Sequence, residues 1–154
     1  MLGFHQSFAG YAPTPLVRLD ALAEEIGVKD LWLKDESARF GLNAFKVLGA
    51  SYAIHRCLQA HTFPSGVTFA TATDGNHGRA VAWTARRLGH AAVVFVPRNT
   101  AQARIEAIAN EGARVVVVDG TYDDAVRRAA DDAAVHGWQV ISDTGYAGYL
   151  QIPD

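Results

Sequence analysis

The chain has 154 residues, 49% of them hydrophobic and 19% charged, with a formal net charge of −2. That balance suits a packed globular chain near the size of one domain. It argues against a disordered chain and against a basic surface built for nucleic acid or an anionic membrane. A single cysteine, Cys57, excludes an internal disulfide and suits a reducing compartment. The opening "MLGFHQSFAGYAPTPL" has neither the basic nor the apolar region of a secretion signal, and runs such as "AAVVFV" are too short to cross a bilayer, so a cytoplasmic chain is expected.

Residues 1–18 read as irregular, with Pro13 and Pro15 imposing an extended path. "ALAEEIG" (21–27) predicts a short helix ended by Gly27, "DLWLKDE" (30–36) a strand, and "SARFGLN" a loop. Asn43 is placed to cap a helix through "AFKVLGASYAIHRCLQA", with Phe45, Leu48, Tyr52 and Leu58 as its apolar stripe. From residue 66 the rhythm is regular: "VTFATAT", "AAVVFVP", "RVVVVDG" and "WQVISD" read as strands, separated by helices that close at Gly89, Gly112 and Gly137. Thr121 and Asp124 have the spacing of a capping box, with Asp standing in for Glu. Valine-rich strands alternating with helices predict an α/β chain, a parallel sheet with helices on both faces in three αβα layers. Residues 28–60 look like the start of another domain, left unfinished where the chain stops after "SDTGYAGYLQIPD".

The loop after "VTFAT" carries only Gly75-x-x-Gly78, and the acid a dinucleotide ribose would need about 20 residues on is replaced by "VPRN", so nucleotide binding has little support. No H-E-x-x-H pattern and no G-x-S-x-G elbow occurs, so neither a metal site nor acyl transfer is expected. Cys57 reads as a packed helix residue. Lys46 falls near a helix start, where the dipole disfavours an ammonium and favours the neutral amine that forms a Schiff base; an ordinary surface lysine is the plainer alternative. Asp74 suits the N-cap of the following helix, and Asp143 suits a turn, yet both stand at carboxyl ends of predicted strands and so can face one crevice.

"KDESARFGLNAFKVLGASYA", "FATATDGNHGRAVAW", "DDAVRRAADDAAVHGWQVISDT" and "GYLQIP" together resemble the diaminopropionate ammonia-lyases, fold type II enzymes dependent on pyridoxal phosphate (PLP), over residues 14–153. Related dehydratases and cysteine synthases carry an F-K-x-R-G-A lysine motif and an S-x-G-N loop; here Leu48 replaces the Arg and the loop opens Thr73-Asp74, which points to the lyase branch. The resemblance implies that Lys46 holds PLP and that Asn76 hydrogen-bonds its phenolic oxygen. It also implies that the amides from Thr73 through Gly75, Asn76 and His77 receive the substrate carboxylate. Asp74 would take the Cα proton of D-2,3-diaminopropionate and Asp143 that of the L-isomer, in an α,β-elimination yielding pyruvate and ammonia.

On that footing residues 1–60 are expected to open the large PLP domain, 61–145 to form the smaller βα domain, and 146–154 to start the return. Tyr146 and Ala147 depart from the Trp and Glu usual in that family, and no glycine run forms the family's phosphate cup, so the chain is expected to be an incomplete fold type II enzyme, inactive alone. The complete enzyme would be a homodimer acting on a small amino acid, with no nucleic-acid or membrane partner. A serine or threonine dehydratase, or an α/β module without catalysis, are the competing readings.

Overall fold

The segment expected to be irregular contains a short helix α1 (Leu2–Gln6) and a strand β1 (Leu16–Arg18). Helix α2 (Asp20–Glu25) follows, then β2 (Trp32–Lys34), which pairs antiparallel with β1 in the register Val17↔Leu33. The computed structural model describes residues 1–144, and they divide into a unit Met1–Phe45 and a second beginning at Lys46.

In the first unit the loop "SARFGLN" holds a 3-10 turn, Arg39–Gly41, that buries an arginine. Arg39 is only 5% exposed. Its guanidinium donates to both carboxylate oxygens of Glu36 (2.7 and 3.0 Å), to the Ala12 carbonyl (2.8 Å) and to the Thr14 hydroxyl (3.0 Å). A buried charge is tolerable only when paired and hydrogen-bonded in this way. The Arg39 hydrogen bonds, opposed by burial and helped by Thr14, pull the Glu36 carboxyl down to about 2.

The second unit runs α3 (Lys46–Ala60), β3 (Thr68–Ala72), α4 (Asn76–Arg87), β4 (Ala91–Pro97), α5 (Gln102–Asn110), β5 (Arg114–Val118), α6 (Tyr122–His136) and β6 (Gln139–Val140). The four strands form one parallel sheet in the order β5-β4-β3-β6, as the alternation of valine runs and helices predicts. Side chains alternate across it. Ala70, Ala72, Val93 and Phe95 pack on one face against Ala125, Ala129 and Ala133, a stripe of small residues that lets α6 lie close. Phe69, Thr71, Val94 and Val96 belong to the opposite register, all fully buried, on the side where α4 packs. Fully burying Phe69 and Phe95 contributes about 1.5–3 kcal/mol each.

The expected capping box forms: Asp124 N–H donates to Thr121 Oγ1 (3.3 Å) and Thr121 N–H donates to Asp124 Oδ2 (2.7 Å). Gly137 ends α6 in the left-handed region at φ 69°, where a Cβ would be strained. Helix α3 differs from its expectation. Its buried face is Val47, Ala50, Ser51 and Ile54, while Leu48 and Tyr52 are half-buried and Phe45, ahead of the helix, is 62% exposed. The reason is packing: α3 lies on α4, and the small pair Ala50-Ser51 gives a closer approach than the larger side chains one position round. That contact also places α3 with the sheet, so the division between units falls at Phe45, ahead of the boundary at residue 60 read from the sequence. No helix among the described residues is long and apolar enough to cross a membrane.

Candidate active site

The strand order fixes where a site can form. From β3 the chain steps outward through β4 and β5, and α6 then returns it to the far side of β3. The connections from β3 and β6 therefore diverge. Between them, at the carboxyl ends, lies the switch-point crevice in which open parallel sheets bind ligands. Asp74 lies just past β3 and Asp143 just past β6.

Lys46 opens α3 as its first residue, not its third. Asn43, expected as the cap, stands three residues ahead of it in a left-handed conformation (φ 59°). The Lys46 Nζ donates to Asp143 Oδ2, joining residues 97 apart in the sequence. Asp143 is 23% exposed along its side chain. Burial pushes its carboxyl up. The Lys46 hydrogen bond and charge, and in acid the His77 ring, outweigh that effect and hold it below the usual carboxylate range.

His77 sits in the first turn of α4, 5% exposed. Its Nε2 lies 2.9 Å from the Ile141 carbonyl, and its Nδ1 lies 3.9 Å from Asp143 Oδ2. Burial pushes the imidazole below its ordinary value. The Ile141 hydrogen bond and the Asp143 charge only partly oppose that, and Lys46 adds to it, so the ring is neutral at pH 7.

The cap of α4 is not Asp74. The N-cap position is Gly75, and the amides at the helix start are met by a residue two before it: Thr73 Oγ1 accepts from the Gly75 amide (2.9 Å) and from the Gly78 amide (3.2 Å). Thr73 is the buried one of the two neighbours, and a hydroxyl is cheaper to bury than a carboxylate. Asp74 is thereby released. Its side chain is 78% exposed, with Arg104 Nη1 3.9 Å from its carboxylate and donating to its backbone carbonyl (2.9 Å).

The same hydrogen bonds revise the anion cradle. The Thr73 amide donates to the Phe95 carbonyl (3.0 Å) and the Gly75 amide to Thr73 Oγ1, so two of the expected donors are already engaged. Asn76, at the first position of α4, is exposed. Gly78 is required by close approach: a Cβ there would lie 2.3 Å from Thr73 Cγ2 and 2.7 Å from Val94 Cγ1.

Three residues escaped the sequence reading. Tyr122, the first residue of α6, hydrogen-bonds Thr144 and lies within electrostatic reach of Asp143, Asp74 and Lys46; burial is the main cause pushing its phenol up. Arg104 and the His77 ring are the others. A signal existed for Tyr122, since the loop after β5 also ends at the carboxyl edge of the sheet. Tyr146 and Ala147 lie outside the described residues.

The sequence profile described as pyridoxal-phosphate dependent enzyme matches residues 8–152. The diaminopropionate ammonia-lyase of Escherichia coli (strain K12) is 50% identical over 97% of this chain, and that of Salmonella typhimurium 42% identical over 99%. A crystal structure of the E. coli enzyme in complex with an aminoacrylate-PLP azomethine reaction intermediate superposes with a TM-score of 0.89 at 52% identity, covering 97% of this chain and 41% of that one. The chain spans 42–43% of the length of these two curated relatives. With the profile matched over nearly its whole length and the lysine and carboxylate joined at the switch point, the chain belongs to the pyridoxal-phosphate-dependent enzymes of fold type II.

Proposed function

We propose that this chain supplies the lysine and both proton-transferring carboxylates of a lyase that converts 2,3-diaminopropionate and water to pyruvate and two molecules of ammonia. The observation that carries the reading is the Lys46–Asp143 pair beside the β3 loop bearing Asp74. The donor set suits PLP. Lys46 offers an amine for its aldehyde carbon, and Asn76 an amide for its phenolic oxygen. When bound, PLP supplies the electron sink for the pair left at Cα.

The protein's own part is proton handling and orientation. An ammonium has no lone pair, so Lys46 must shed a proton before it can hold the cofactor covalently. Asp143 is the group in position to receive it. The amides of Asn76 and His77, at the positive end of α4, hold the substrate carboxylate, while Thr73 and Gly75 shape the loop. With the carboxylate and amine fixed, the Cα protons of the two enantiomers point to opposite faces. One base cannot reach both, so two are needed, and the family resemblance assigns Asp74 to the D-isomer and Asp143 to the L-isomer. The enzyme is read as a cytoplasmic homodimer.

The test is a chimera in which this chain replaces its counterpart in the E. coli enzyme, loaded with PLP. Pyruvate release should be faster from diaminopropionate than from serine. Faster release from serine would assign a dehydratase instead, and PLP loading without any turnover would remove the catalytic reading.

A further inference from the structure

The His77 ring has a place in this crevice that its backbone amide does not explain. Its Nε2 meets a carbonyl oxygen, that of Ile141, at 2.9 Å. A carbonyl only accepts, so the proton of a neutral ring must sit on Nε2 and leave Nδ1 with a bare lone pair. That lone pair lies 3.9 Å from Asp143 Oδ2. Ile141 is two residues before Asp143 and is also tied to the sheet by its amide, which donates to the Ala70 carbonyl (2.9 Å). The α4 helix therefore grips the end of β6 through one side chain, and the same ring faces the carboxylate.

We propose that His77 is a positioning residue for Asp143: its Nε2–H clamps the strand end that carries the carboxylate, and its unprotonated Nδ1 faces that carboxylate. This rests on the reading of Asp143 as a base only for its catalytic consequence. The tautomer and the clamp stand on the geometry alone. The other charged group facing the ring is Lys46, whose ammonium opposes protonation of the imidazole. With neither neighbour favouring an imidazolium strongly enough to offset burial, the ring stays neutral and keeps Nδ1 open.

Two variants separate the two nitrogens. In His77→Gln the side-chain amide reaches the position of Nε2 and keeps a donor for Ile141. In His77→Asn it reaches only the position of Nδ1, and the clamp is lost. The first measurement is long-range proton–nitrogen NMR on the chain labelled with 15N-histidine at neutral pH, with His77 assigned by the signal missing in His77→Gln. The expected result is a protonated Nε2 and an unprotonated Nδ1. A proton on Nδ1, or an imidazolium, overturns the proposal whether or not the enzyme reading holds.

The second measurement is made in the PLP-loaded chimera. His77→Asn should lower turnover of the L-isomer by about tenfold or more relative to the D-isomer, the scale expected when a buried hydrogen-bonding group loses its partner. His77→Gln should recover part of that loss. Equal losses on both isomers, or no recovery by Gln, would make His77 a merely structural residue. Failure of the parent chimera to act on diaminopropionate would instead count against the function while leaving the NMR result standing.

Discussion

Asp74 and Asp143 occupy equivalent places, each just past the carboxyl end of a parallel strand, but their surroundings are opposite. Asp143 is three-quarters buried, held by Lys46 and faced by His77. Asp74 is mostly exposed, and its neighbour is Arg104, itself 60% exposed along its side chain. The difference comes from which side chain meets the first amides of the next helix. Thr73 Oγ1 has taken the amide donors at the start of α4, so Asp74 is left outside. Two carboxylates of one type thus gain different partners through local packing, and the proposed function gives each a separate enantiomer to act on.

The largest expected effect is at Lys46, the partner of Asp143. Lys46→Ala in the PLP-loaded chimera should abolish the visible absorbance of lysine-bound PLP, and Lys46→Arg should not restore it, because a guanidinium stays protonated. Only the Asp143 side loses an ion pair in this variant.

The β3 end is breakable alone. Gly78→Ala forces a methyl group into Thr73 and Val94 and should cost about 1–3 kcal/mol. Thr73→Val leaves the Gly75 and Gly78 amides without their acceptor and should cost about 0.5–2 kcal/mol. Thr73→Ser, which keeps the hydroxyl, should recover most of that in urea melts.

Acid sharpens the contrast between regions. His77 has its folded value lowered from 6.5, so the unfolded chain binds the extra proton first. Its contribution to stability is full above about 6.5 and is lost as pH falls through the lowered folded value. Glu36, lowered from 4.5 to about 2, keeps the first unit's contribution intact until pH 4.5 and loses it toward 2. Hydrogen exchange at the Ile141 amide should therefore accelerate at a higher pH than exchange at the Leu42 amide, which is bonded to the Arg39 carbonyl, once both are corrected for intrinsic rates. The smallest effect belongs to Arg104→Ala. An exposed pair at 3.9 Å is worth about 0–1 kcal/mol, so stability should barely move, and turnover of the D-isomer should fall less than about tenfold.

Much of the architecture was legible because it is written locally. Valine runs between amphipathic helices gave the parallel sheet, and Thr121, Asp124 and Gly137 marked both ends of α6. Strand order is not local. Nothing in "WQVISD" says that β6 crosses to the far side of β3, and so the contact of Lys46 with Asp143 could not be read, although both residues were singled out. Asp74 was expected as the cap, but burial put the Thr73 hydroxyl on the Gly75 and Gly78 amides instead. Arg39 escaped for a related reason: a charged residue in a loop-forming run reads as solvated until its partners, Glu36 and Ala12, are seen around it.

The division of labour between the two carboxylates is tested most directly by one crossed measurement. Asp74→Asn and Asp143→Asn are made in the chimera, PLP occupancy is matched by absorbance, and turnover is followed with each enantiomer of diaminopropionate. Loss of a general base costs roughly 10²–10⁴-fold. The expected result is a loss of that order on the D-isomer for Asp74→Asn and on the L-isomer for Asp143→Asn, with the opposite isomer affected far less. Equal losses on both isomers from either substitution would contradict the division of labour between the two strand ends.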